Sequence, residues 1–155
     1  MSTAPLPASV EAALKETGGT YQRNAGLPAI EALATVDGTP FPFAVTTIED
    51  SAWVIVDVPT GPYAPAAARS AVAELLHRIN WSLGTGGFVM DHDGGEVRCR
   101  TAQNVGGGIS TPTMLSNHVG VAVPSVAEYR AAISVVATVC STSVERFARR
   151  AEDSS

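Results

Sequence analysis

"INWSLGTGGFVMDHDGGEVRCR", residues 79–100, decides how this chain is read. It gathers glycines, two aspartates around a histidine, a cysteine and two arginines, which suit a phosphate cradle, a metal site or a tight turn. The order of elements separates the three. A dinucleotide fingerprint needs a strand before its glycines and a helix after them. Here Val72, Leu75, Leu76, Ile79 and Leu83 form a helical stripe before the glycines, a strand-like "GFVM" follows, and Val89 occupies the third glycine position. In "DHDGGE", Asp91 and Asp93 stand at the first two ligand positions of a calcium loop. Gly95 replaces the third, and the glycine and glutamate sit at the wrong offsets for an EF-hand. What remains is a chain reversal: "GGFVMDH" and "EVRCRTAQNV" read as two strands joined across Asp93-Gly94-Gly95.

Working outward, residues 66–83 form the helix, preceded by Pro59, Gly61, Pro62 and Pro65. Before these lie three extended segments. "AIEALATV" ends at Asp37-Gly38, a hairpin pair, and "FPFAVTTI" carries Pro42, which suits an edge strand or a strand start. Glu49-Asp50-Ser51 then turns the chain into the β-branched "AWVIVDV". Near the N-terminus, Ser9 can cap a short helix whose Val10, Ala13, Leu14 and Thr17 share a face and which Gly18-Gly19 stops. After Gly106 to Gly108, Thr111-Pro112 opens a short helix carrying Met114, Leu115, His118 and Val119. Ser125 and Glu128 form a capping box for a last helix, along which Val126, Tyr129, Ile133, Val136, Cys140, Val144 and Phe147 cluster. The expected order is α-βββ-α-ββ-α-α. Antiparallel strands beside helices make the class α+β, with a sheet of about five strands and the 66–83 helix against one face. One domain is expected over residues 9–150, with loose ends at 1–8 and 151–155.

The bulk properties narrow the function. A chain of 155 residues can bury about 70% of its unfolded surface without disulfide or metal staples. A net charge of -5 offers phosphates little, so neither direct nucleic-acid binding nor attraction to anionic lipid is expected. Arg98 and Arg100 read as solvated strand positions. The N-terminus lacks the pattern of a signal peptide, and no apolar run approaches the roughly 18 residues of a membrane span. Cys99 and Cys140 fit a reducing cytoplasm, with Cys99 facing inward in alternation with Val97 and Thr101.

Site chemistry is sparse. Gly106 to Gly108 lacks the Lys-Ser/Thr of a phosphate loop. His77, His92, His118, Cys99 and Cys140 form no closely spaced metal-ligand pair, and there is no Gly-x-Ser-x-Gly elbow. The expectation is no cofactor, no metal and no catalytic residues.

A helix ending in "LLHRIN", a glycine, then "GFVMDHDGGEVRCR" and a final pair of helices resembles the YbjN family, whose members resemble type III secretion chaperones in fold. Asn80, Gly87, Phe88, Asp91, Gly95, Val97 and Arg100 carry the likeness, which extends in element order from about Val10 to Cys140. The resemblance implies a small acidic protein, usually dimeric, that binds other proteins and performs no chemistry. The family is also loosely labelled a regulator of sensory transduction.

Two surfaces are candidates for a client or a second subunit. On the 66–83 helix, Trp81 falls opposite the Val72 stripe beside Glu74 and His77; it either joins an interface or folds back against the sheet. Val135 and Val139 lie off the main stripe of the last helix and cover either a neighbouring subunit or the preceding short helix. The leading expectation is a cytoplasmic, homodimeric chaperone or adaptor that grips a segment of a client protein. A small-molecule-binding regulator with a pocket between sheet and helices is the first alternative, and a small enzyme with an unrecognised site the second.

Overall fold

The computed structural model describes residues 5–17, 20–23, 29–106 and 111–152, with side chains described as far as Cys140. Among the described residues, three α-helices and six strands form two layers: α1 (Leu6–Glu16), β1 (Tyr21–Arg23), β2 (Ala29–Val36), β3 (Thr39–Ile48), β4 (Trp53–Pro59), α2 (Arg69–Ser82), β5 (Gly87–Met90), β6 (Val97–Asn104) and α3 (Pro112–Glu152). The sheet runs β1-β2-β3-β4-β6-β5 and every neighbouring pair is antiparallel.

Alternation builds the core. Ile30 pairs with Val45, Val45 with Val56, Val56 with Thr101, and Val58 with Cys99, which also faces Phe88. These residues line one face of the sheet and are buried with Val10 and Leu14 of α1, Val72, Leu76 and Ile79 of α2, and Leu115, Val123, Val126 and Ile133 of α3. The opposite face has no helix packed on it among the described residues, and there Leu33, Ile48, Trp53 and Val89 are exposed. Turn chemistry sets the register. Asp37 and Gly38 both take positive φ, 49° and 76°, between the paired Val36 and Thr39, as a two-residue hairpin turn requires.

The α+β class with an antiparallel sheet packed against helices is that expected, and the structure departs from the expected order in particular places. The sheet has a sixth strand, β1, whose three residues are too short to show a period. Helix α1 starts at Leu6 behind Pro5 rather than at Ser9, because Pro7 is at home in a first helical turn; the Ser9 hydroxyl instead donates to the Leu6 carbonyl. Gly18-Gly19 lies outside the described residues, as do Gly107 and Gly108.

The two C-terminal helices are one. Thr111 caps α3 as expected, its Oγ1 accepting from the Met114 amide at 3.2 Å, but the helix continues through Pro124. An internal proline costs a helix about 3 kcal/mol. Here rows on both sides of it, Leu115 and Ala122 before and Val126, Ile133 and Ala137 after, are buried in the same core, and that burial outweighs the penalty. The capping box is therefore not formed, and the Ser125 hydroxyl donates to the Val121 carbonyl inside the helix. Merging the two also makes Pro112–Cys140 long and apolar enough to cross a membrane by length and composition, unlike any run expected from the sequence. Finally, it is α3 that crosses the sheet, against β6, β4 and β2, while α2 lies beside β5 and α3.

Candidate functional site

The motif-bearing block is committed to the fold. Helix α2 ends beside the edge strand β5, and Asn80 of its last turn binds that edge: its Oδ1 accepts from the Phe88 amide at 2.7 Å and its Nδ2 donates to the Phe88 carbonyl at 2.9 Å. A side chain at position 87 would press on the Asn80 amide, which accounts for Gly87. In the turn after β5, Asp91 works locally. Its carboxylate accepts from the Asp93 amide at 3.1 Å, its carbonyl from the Gly95 amide at 2.7 Å, and its amide donates to the Glu96 carbonyl. Gly95 has φ +82°, and a Cβ there would collide with the Ala64 carbonyl. That carbonyl accepts from Arg69 Nε while the Ala64 amide donates to the Gly95 carbonyl, so the turn is stitched to the segment leading into α2. Among the described residues, no group of three or more His, Cys, Asp or Glu is arranged to hold a metal ion.

Arg98 and Arg100 are not merely solvated. Both reach Asp57, a buried carboxylate that lies between Val56 and Val58 and so points to the face of the sheet without helices. Arg100 is bidentate, at 2.8 and 2.9 Å, and its pKa rises above the ordinary arginine value, first through that hydrogen bond. Arg98 approaches Asp57 at 3.4 Å and also pairs with Glu96. The Cys99 thiol faces the core, and burial pushes its pKa up to about 11, which leaves it protonated and inert at neutral pH.

The expected surface residues lie on two helices, each on the side away from the core. Trp81 is 89% exposed and does not fold back on the sheet. With Glu74, His77 and Arg78 it lines a shallow depression of about 550 Å³, edged by a Glu74–Arg78 ion pair at 2.6 Å. On α3, Val135 and Val139 are 60% and 58% exposed, so they cover no preceding helix. Two surface features had no residues assigned from sequence, although a pocket between sheet and helices was among the alternatives. One is an open apolar groove of about 340 Å³ between α1, β2 and α3, lined by Leu14, Ala32, Phe43, Leu115, Val119 and Val123 among others. It escapes a linear reading because its walls come from three distant segments. The other is the set of exposed apolar residues Leu33, Ile48, Trp53 and Val89 scattered over the outer sheet face, which strand alternation alone could have marked.

A family model described as "YbjN: Putative bacterial sensory transduction regulator" matches residues 6–135. Among solved structures, "Crystal structure of YbjN, a putative transcription regulator from E. coli" superposes with a TM-score of 0.60 at 14% identity, covering 84% of this chain and 95% of that one. A chain of "Structure of the HopA1-SchA Chaperone-Effector Complex" superposes with a TM-score of 0.56 at 7% identity, covering 83% and 98%. At such identities these are likenesses of fold. No curated protein matches the chain at a significant level.

Proposed function

Because the chain belongs to the YbjN family, matched over residues 6–135, we propose that it is a non-catalytic protein-binding module of the bacterial cytoplasm. In this reading it is a chaperone or adaptor that holds a segment of a client protein and works as a homodimer. The observation that carries the reading is the 89% exposure of Trp81 beside Glu74, His77 and Arg78. A tryptophan held in water on a well-packed helix contributes nothing to the fold, whereas buried against a partner it brings a large apolar area and an N–H donor. The polar residues of the central block are spent on turns, an edge strand and an ion pair, which leaves binding rather than chemistry to the surface. The fold shared with a chain of a chaperone–effector complex supports the same reading.

The test is affinity capture from lysate of the native bacterium with wild type and Trp81→Ala side by side. A stoichiometric protein partner that the variant retains about 30-fold more weakly, as for an interfacial tryptophan worth about 2 kcal/mol, supports the proposal. Equal retention by both moves the client off α2.

One observation favours a second reading, a small-molecule-binding regulator: the apolar groove between α1, β2 and α3 lies between sheet and helices and falls within ligand-pocket size. Native mass spectrometry of the purified protein separates the two, since a retained apolar compound displaced by Leu115→Trp or Val119→Trp would favour the groove.

A further inference from the structure

The wall that α3 gives to the apolar groove contains a defect in the helix. Ser116, Val119, Gly120, Val123 and Pro124 line the groove and form one stripe of α3. Gly120 has no side chain, so it is its backbone that meets the groove. Pro124 stands four residues further on and has no N–H, so the helical hydrogen bond that would close on the Gly120 carbonyl is absent. The next carbonyl, that of Val121, receives the Ser125 hydroxyl at 2.8 Å. Among the described residues no side chain does the same for Gly120. A helical carbonyl points along the axis towards the residue four ahead, so this acceptor lies between two residues that both line the groove.

That acceptor restricts what the groove can take. Among the described residues no charged side chain lines it, so neither an anion nor a cation finds a counter-charge there. A wholly apolar occupant would strip water from the Gly120 carbonyl and return nothing, and a polar group covered in that way costs free energy. A neutral molecule with one O–H or N–H group replaces the water. The rest of its surface is left for Leu14, Phe43, Leu115 and Val123. At about 340 Å³ the space is that of a small organic molecule.

We propose that the groove between α1, β2 and α3 binds a neutral, largely apolar small molecule through a hydrogen bond from its O–H or N–H group to the Gly120 carbonyl, which Pro124 leaves free. The proposal rests on the small-molecule reading of the preceding section and names the chemistry of the ligand. It also gives the internal proline a role. Burial on both sides of Pro124 holds α3 together across a break, and the product of that break is an acceptor on the groove wall.

Amide NMR spectra of the full chain test this by titration with 2-naphthol, with 2-methoxynaphthalene, which lacks the donor, and with 2-naphthoate, which carries a charge. Wild type is expected to shift at Ser116, Val119 and Gly120. It should bind the naphthol about fivefold or more tighter than the other two, as one hydrogen bond to a carbonyl implies. Pro124→Ala returns an N–H to the helix and should bring the naphthol and its ether to equal Kd. Gly120→Ala, where a Cβ meets nothing within 4 Å, keeps the carbonyl free and should keep the preference. The same spectra confirm that each variant is folded. Equal binding of naphthol and ether by wild type, a preference that survives Pro124→Ala, or one that Gly120→Ala also removes overturns the hydrogen bond and leaves the groove as a small-molecule site. Tightest binding of the naphthoate overturns the neutral class. A groove unmoved by all three probes at about 1 mM is left to an apolar segment of a client, which overturns the small-molecule reading and this proposal with it.

Discussion

The Asn80 side-chain amide pairs with the backbone of Phe88 as a neighbouring strand would, accepting from its N–H at 2.7 Å and donating to its C=O at 2.9 Å. Among the described residues β5 is an edge strand with β6 beside it, and the helix preceding the strand closes these two groups. Asn80→Ala should leave both without their partner. A cost of about 1–3 kcal/mol follows, or a fall in Tm of roughly 2–10 °C for a domain of this size. Asn80→Asp can still accept from the Phe88 amide but cannot donate to its carbonyl when ionised, so it too should be destabilised. Denaturant melts of the three proteins check the order.

Two glycines with positive φ should answer differently to alanine. Gly38, at φ +76°, has open space where a Cβ would stand, so Gly38→Ala incurs only the left-handed backbone penalty of about 1–2 kcal/mol. Gly95, at φ +82°, adds a collision with the Ala64 carbonyl, itself held by Arg69. Gly95→Ala should cost about 3 kcal/mol or more, and relieving it requires the turn to separate from the start of α2. Equal losses for the two variants, measured by chemical denaturation, would mean that the turn is not stitched to that segment.

These contacts explain which parts of the molecule were legible in the sequence. Asp37-Gly38 and the alternation of "FPFAVTTI" and "EVRCRTAQNV" are local signals, and the structure follows them. What failed was local grammar competing with tertiary packing. Pro124 and the Ser125/Glu128 pair spell a helix break, yet burial of Ala122 and Val123 on one side and Val126 on the other keeps α3 continuous. Asn80, Gly87, Gly95 and Arg100 stood out as a pattern without a reason, because each reason lies in another segment: Phe88 across a loop, Ala64 before α2, Asp57 two strands earlier in the chain. The Trp81 surface was legible as a position on a wheel. Its exposure depends on how the end of α2 sits against β5.

Asp57 is the centre of the outer sheet face, and its variants should be more costly than those of either arginine. Asp57→Asn keeps the shape but presents an amide to two guanidinium groups, leaving Arg98 and Arg100 close together without the carboxylate. A loss of about 2 kcal/mol is expected. Arg100→Lys removes the bidentate fork from a side chain 42% exposed, and after solvent screening should cost about 1 kcal/mol or less. If the ion pair is what matters, the Asp57→Ala/Arg100→Ala double variant will lose less than the sum of its singles.

The two thiols should separate by pH and by access. Cys99 is fully buried and its pKa is raised from 9.0 to about 11, chiefly by burial, while Cys140 is half-buried. At pH 8 a thiol reagent should therefore label Cys140 first and Cys99 only at the rate of unfolding. The same shift fixes a stability trend. The folded pKa lies above the unfolded one, so the contribution is complete below pH 9 and is lost as pH rises towards 11, when the unfolded thiol ionises and the folded one does not. A two-unit shift limits the loss to about 3 kcal/mol. The quantity to measure is the difference between wild type and Cys99→Ala, which isolates this thiol. Wild-type stability should fall more steeply from pH 9 to 11 than that of the variant, and parallel curves would mean that ionising the thiol does not distinguish the folded from the unfolded chain.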